Sequence, residues 1–327
     1  MANYFSSSPN LNGCTFENNT GVGSSEGGAI YGYSFCAPTL TDCIFDGNSA
    51  SIGGAVVGFF SCSANFDRCI FRNNTAVGDG GGLYSYGNSN VTLTNCLLAG
   101  HSGAFGAAMI NLFDSHANVI NCTIVGNTGT LGTGGIFNFQ SDPVIDNSIL
   151  WQNSANGSFT EAGQIDNNDG FPTINHTTIE GWTGTLGGTN NNGDDPLLVD
   201  ANGIDNIYGT LDDNTRLSTG SPAINTADNT AIPGGITLDL DQHPRIADTT
   251  VDRGAYEYDP LPGDFDGDGD IDLNDYEKLA NCLNGPETTP TPTPPTTPQQ
   301  CRDAFDFDAD EDIDMQDGAE FTRVFQP

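Results

Sequence analysis

Cys43–Ser49 reads CIFDGNS. The same phrase recurs as CTFENNT from Cys14, CIFRNNT from Cys69, CLLAGHS from Cys96 and CTIVGNT from Cys122, at spacings of 29, 26, 27 and 26 residues. It continues without the cysteine as SILWQNS from Ser148 and TTIEGWT from Thr177. A fixed period of this length marks a stacked repeat: one unit cannot bury its own inward side, and the next unit covers it. Within the phrase, Phe16, Phe45, Phe71, Leu98, Ile124 and Leu150 stand two places after the first residue, with polar or mixed positions around them. Alternation of period two predicts a short strand with one side turned inward. Asn follows at one place, as Asn19, Asn48, Asn74, Asn127 and Asn153, with His101 standing in the series. Asn tolerates left-handed backbone, and its amide can bond to the same amide one layer on, so the position predicts a turn and a ladder.

Glycine pairs at Gly27-Gly28, Gly53-Gly54, Gly81-Gly82 and Gly134-Gly135 open a second apolar run in each unit. Two or three short strands and tight corners in about 26 residues predict an all-β, right-handed parallel β-helix. Residues 10–185 supply roughly seven coils at ~4.8 Å per layer. A β-propeller blade needs ~40–45 residues, and the Gly, Asn and Thr content opposes an α-solenoid. The cysteines then form an interior column of small buried hydrophobes. Cys36 and Cys62 also fall in adjacent layers, and their pairing stays open.

The chain has 43 acidic and 8 basic residues, a formal charge of −35. Such a surface opposes nucleic acid and anionic membrane as partners, and no stretch is apolar and long enough to span a bilayer. The start, MANYFSSSPN, lacks the basic and apolar regions of a secretory signal, which suggests a truncated N-terminus. Polar stacked coils with calcium-type loops nevertheless suit an extracellular or cell-surface protein.

Three segments are expected: coils over residues 1–186, terminal coils with a C-terminal cap over 187–260, and a distinct acidic module over 261–327. The wording DPLLVDANG, LDDNTRLSTGSPAIN and DLDQHPRIADTTVDRGAYEY in the second segment closely resembles the closing region of bacterial choice-of-anchor Q proteins. The coils resemble polymorphic outer-membrane-protein-like repeats. Neither resemblance implies a defined activity.

In the third segment DFDGDGDIDLND starts at Asp264 and DFDADEDIDMQD at Asp306. Loop positions 1, 3, 5, 9 and 12 carry Asp264, Asp266, Asp268, Asp272 and Asp275, then Asp306, Asp308, Asp310, Asp314 and Asp317. Position 7 offers the carbonyls of Asp270 and Asp312. This is the oxygen spacing that Ca²⁺ takes. Ile271 and Ile313 at position 8 can pair the loops, and a short helix follows each. Asp rather than Glu at position 12, and one helix per loop in tandem, resemble a dockerin type I domain, which implies calcium as cofactor and a cohesin-like or other surface protein as partner. Positions 10 and 11 are Leu273, Asn274, Met315 and Gln316, not the Ser/Thr pair of the best-studied dockerins. Position 6 is Gly269 in the first loop and Glu311 in the second, so the second site should bind more weakly. The Pro/Thr insert 286–300 should be extended, and Cys282 and Cys301 flank it as a disulfide candidate.

No catalytic residue emerges. The coils hold two basic residues, Arg68 and Arg72, and repeat alignment sets them over Asp42 and Asp46 as surface ion pairs. The four histidines lack metal spacing. Asp194-Asp195 falls in a connector, and Asp200, Asn202, Asp205, Asp212 and Asp213 suggest a further calcium site. Tyr31, Tyr33, Phe35, Phe59, Phe60, Tyr84 and Tyr86 follow the glycine pairs; some are expected inward as core, and outward members could hold sugar rings. The expected function is adhesion, surface display or polysaccharide binding by a docked calcium-binding protein. The alternative is an extracellular polysaccharide-degrading enzyme, a lyase or glycoside hydrolase, carrying a dockerin.

Overall fold

The computed structural model describes every residue except 24, 259–261, 266–270, 272, 287, 295, 326 and 327, and the side chain of Asp303. The described residues form two compact units, one of residues 1–196, 200–215 and 222–257, the other of residues 197–199, 216–221 and 258–327.

The first unit is a right-handed parallel β-solenoid of about seven turns. Each coil contributes strands to three seven-stranded sheets, with a fourth, five-stranded sheet at a corner. Sheet I runs from Ala2–Tyr4 through Ile30–Tyr33, Val56–Phe59, Leu83–Tyr86, Met109–Leu112 and Ile136–Phe139 to Ile165–Asn168. Sheet II holds strands such as Asn65–Asp67, sheet III the strands of the cysteine phrase, such as Ile70–Arg72, and sheet IV the two-residue strands such as Thr75–Ala76. All pairing in these sheets is parallel and in register: Ile70 faces Ile44 on one side and Leu97 on the other. Like residues therefore lie on like residues. Cys43, Cys69, Cys96 and Cys122 are fully buried and free, in one column. Phe16, Phe45 and Phe71 stack face to face with centroids 4.9 and 4.6 Å apart. Cys36 and Cys62 are also free, with the Cys36 amide donating to the Cys62 sulfur at 3.3 Å.

The asparagine series is a ladder. Asn19 donates to Asn48 at 2.8 Å, Asn48 to Asn74 at 2.9 Å, and Asn127 to Asn153 at 2.8 Å. His101 substitutes in it: its Nδ1 accepts from the Asn74 amide at 3.0 Å, and its own amide donates to Asn127 Oδ1 at 2.8 Å. The ladder ends on Gln164 of a short helix, α1 (Glu161–Gln164), whose Oε1 accepts from Asn153 Nδ2 at 2.7 Å.

After the seventh coil, residues 187–196 add only a short rung, bridging Thr189 to Asn175 and Asn192 to Thr178. The unit's remaining residues, expected as terminal coil and cap, instead lie along the flank of sheet III. Asn73 donates to the Gly209 carbonyl at 2.7 Å, Asn95 to that of Leu238 at 3.0 Å, and Asn147 to that of Asp228 at 2.9 Å. The amide of Ala255 donates to Thr123 Oγ1 at 3.0 Å. Gly100 and Gly126 form the track for Tyr208; a Cβ on either would lie about 2 Å from Tyr208 atoms. The covered coils carry an apolar outer face, with Ala99, Thr123, Val125 and Ile149 at most 1 % exposed. The uncovered coils carry Glu17, Asp46 and Arg72 at the position of Ala99 and Val125.

The second unit has its own core of Ile271, Leu279, Cys282, Cys301, Ala304, Phe305, Ile313 and Phe321. Its helices are α2 (Leu273–Cys282), α3 (Pro298–Phe305) and α4 (Met315–Val324). Cys282 and Cys301 are joined by a disulfide. Helix α3 begins inside the stretch expected to be extended. Pro298 at its first position and a reciprocal Thr297–Gln300 capping box start it there.

Candidate metal centre and aromatic face

The second acidic loop is described throughout. Carboxylate oxygens of Asp306, Asp308 and Asp317 come within 4.8 Å of one another, as do those of Asp312, Asp314 and Asp317. The loop is folded by its own carboxylates. Asp306 accepts from the amides of Asp310 and Glu311, each at 3.0 Å, and Asp310 from the amide of Asp312 at 3.1 Å. Asp317 accepts from the amides of Phe307 and Asp314, each at 2.8 Å. Asp314 is the N-cap of α4 and Asp317 its third residue, so the capping box carries the loop into the helix. Gln316 donates its side-chain amide to Asp308. Desolvation, and then the charges of Asp310, Asp317 and Asp306, push the Asp308 carboxyl above its usual range. A cation would relieve that crowding. The donors are all hard oxygens, which suits Ca²⁺, and Asp306, Asp308, Asp310, Asp314 and Asp317 with the Asp312 carbonyl are the atoms that would hold it.

Ala309 and Glu311 hold φ of +59° and +73°. The first loop has Gly267 and Gly269 at these positions. Of that loop's expected ligands, Asp266, Asp268, Asp270 and Asp272 lie outside the described residues. Asp264 and Asp275 are buried, and Asp275 accepts from the Phe265 amide at 2.6 Å, the counterpart of the Asp317–Phe307 bond. Leu273 and Met315, 66 % and 87 % exposed, present apolar surface at the first turns of α2 and α4.

Elsewhere, Asp205, Asp212 and Asp213 of the first unit also converge within 4.8 Å. Thr210 Oγ1 bridges Asp212 and Asp213 at 2.6 and 3.1 Å. Arg68 grips Asp42 at 2.8 and 3.2 Å and Arg72 reaches Asp46 at 2.9 Å, as repeat alignment anticipates; Arg68 also reaches Asp67 at 2.6 Å, a contact the alignment does not anticipate.

None of the aromatic residues after the glycine pairs joins the core. On sheet I the inward positions are Ile30, Val56, Leu83, Met109 and Ile136. Tyr31, Tyr33, Phe59, Tyr84 and Tyr86 point outward, half-buried, and Phe35 and Phe60 are exposed at the next corner. The strand's alternation decides this: glycine or a small polar residue between two rings sends both rings to one side. Phe113, Phe137 and Phe139 extend the face, which the spacing rule alone would have found.

Comparison with protein families gives three matches. Residues 58–211 match the right-handed β-helix region, residues 262–324 the dockerin type I domain, and residues 13–33 the Chlamydia polymorphic membrane protein repeat. No curated protein matches the chain. The chain is thus a β-solenoid protein of the right-handed β-helix class. It carries a dockerin type I domain, a domain type that typically binds calcium and docks to cohesins, and the combination points to a cell-surface or cellulosome-type protein. No described helix is long and apolar enough to cross a membrane.

Proposed function

We propose that the chain is an extracellular polysaccharide-binding β-solenoid protein, held in a larger surface assembly through its calcium-loaded dockerin-type module. Asp306, Asp308, Asp310, Asp312, Asp314 and Asp317 take one Ca²⁺, and Asp264, Asp266, Asp268, Asp270, Asp272 and Asp275 another. With the loops loaded, Leu273 and Met315 offer the module's contact to a cohesin-type partner. The observation that carries the binding role is the run of outward rings on sheet I, from Tyr4 to Phe139. An exposed aromatic tract of this extent is uncommon on a soluble protein and marks an interaction surface. The test passes the full chain, in Ca²⁺, over immobilised neutral and acidic polysaccharides and assays the eluate for new reducing ends. Retention without cleavage supports the reading. Robust cleavage turns it toward the enzyme, and no retention on any polysaccharide refutes it.

A further inference from the structure

Resting on that reading, we infer that the ligand of sheet I is an unbranched, uncharged polysaccharide in extended, equatorially 1,4-linked form, lying along the solenoid axis. The rings form a continuous track in that direction. Tyr4, Tyr33, Phe60, Tyr86, Phe113 and Phe139 come from six successive coils, with centroids 6.4, 5.4, 5.7, 5.1 and 5.3 Å apart. The first corner residue after each strand alternates phenylalanine with a non-aromatic residue: Phe5, Ser34, Phe60, Gly87, Phe113, Gln140. The ring of Phe60 lies over Gly87, where a Cβ would meet its Cδ1 at 3.2 Å. At this one corner position phenylalanines thus recur every second layer, about 9.6 Å apart, while Phe35, also exposed, stands one residue further on in the layer between Phe5 and Phe60. That is close to one disaccharide of an extended 1,4-linked chain, in which alternate sugars present the same face. The C–H face of a pyranose is apolar and weakly positive, the complement of the ring's negative face.

These phenylalanines are not placed for the fold. Phe5, Phe60 and Phe113 hold φ of +46°, +55° and +55°, left-handed backbone that favours Gly or Asn. They are 74 %, 47 % and 40 % exposed. A bulky residue kept in strain at an exposed site points to a use outside the fold.

Charge selects against anionic glycans. Among the described residues of sheet I and its corner there is no Lys or Arg: the two in residues 1–196, Arg68 and Arg72, pair with acids of other rows. Instead Glu26 and Asp79 border the rings. Desolvation, with the charge of Glu26 beside Tyr31 and of Asp79 beside Tyr84, pushes both phenols up to about 12. Carboxylates and phenols can hydrogen-bond sugar hydroxyls, and they repel uronates.

The test titrates the full chain, with Ca²⁺, with neutral β-1,4-glucan and β-1,4-mannan hexasaccharides and with oligogalacturonate. It repeats this for Phe60→Asn, Phe113→Asn and the double variant, and records melting temperatures. We expect a neutral hexasaccharide to bind and oligogalacturonate not to. Each single variant should lose about three- to tenfold in affinity, with melting unchanged or raised because Asn tolerates the left-handed corner. Preference for oligogalacturonate overturns this inference and leaves the polysaccharide-binding role standing. Binding of no saccharide at all overturns both. Unchanged affinity in the double variant, or a lower melting temperature, makes the rings packing groups and overturns the assignment. A dimer that the variants dissociate, without change in saccharide binding, gives the face to a second copy and overturns it as well.

Discussion

Glu311 shows how a single residue sets the quality of a site. Its φ of +73° is glycine backbone, and the first loop supplies Gly269 there. An L-residue in this conformation costs about 1–2 kcal/mol. If the loop takes up this strain only on binding, Glu311→Gly should tighten the second site about fivefold or more in a calorimetric Ca²⁺ titration; unchanged affinity would show that the empty loop already carries it. His101 is a second such residue. Burial pushes its pKa from 6.5 down to about 3, and its Nδ1 accepts a bond that protonation would break. The unfolded chain takes up that proton first, so stability should fall as the pH drops from 6.5 toward 3. His101→Asn restores the ladder's usual member and should flatten the melting-temperature profile over that window; an unaltered profile would absolve the histidine. The column of cysteines, the asparagine ladder and His101's place in it are all legible in the sequence, because a stacked fold turns sequence period into vertical contact. The aromatic side chains were harder. Their cluster was visible, but which way they faced depended on the small residues between them.

At the scale of elements, sheets and coils follow from the repeat, whereas the flanking segment does not. Its docking rests on long-range contacts such as Ala255 to Thr123 and on glycines 100 and 126, which no local pattern announces. One signal was available: the outer positions of CLLAG and CTIVG are apolar, where CIFDG and CIFRN are charged. A solenoid face that turns apolar is a face that is covered. Helix α3 is hidden in the sequence for a similar reason, since a Pro-rich stretch masks its N-cap at Thr297. The flanking segment is pinned by ionisable groups. Arg245 and Glu257 are buried and 3.0 Å apart, with Asp239 and Asp252 also buried in the same segment. Desolvation raises the Glu257 carboxyl to about 8, against the opposing pull of Arg245. Three carboxylates around one guanidinium favour keeping a proton there. The folded state then holds a proton that the unfolded chain releases, so this group's contribution to stability is full below pH 4.5 and lost as the pH rises to about 8. Glu257→Gln should remove that slope in denaturant melts across the window. A slope that persists would place the titration elsewhere.

For the molecule as a whole, composition and motif together reach further than either alone. A charge of −35 would oppose compaction through self-repulsion. Part of that charge is gathered in two loops whose spacing suits a divalent cation, so metal uptake removes repulsion where it is densest. The disulfide between Cys282 and Cys301 closes the Pro/Thr insert, and in the chain-entropy view a loop of that length is worth about 3 kcal/mol. The proposed role of the acidic module therefore turns on calcium. Calorimetric titration of the full, chelator-stripped chain with Ca²⁺ tests it most directly. Two binding events of unequal affinity, the weaker one selectively tightened by Glu311→Gly, are the predicted result. A chain that takes up no Ca²⁺, or binds it with Asp306→Ala and Asp264→Ala both in place as well as without them, contradicts it.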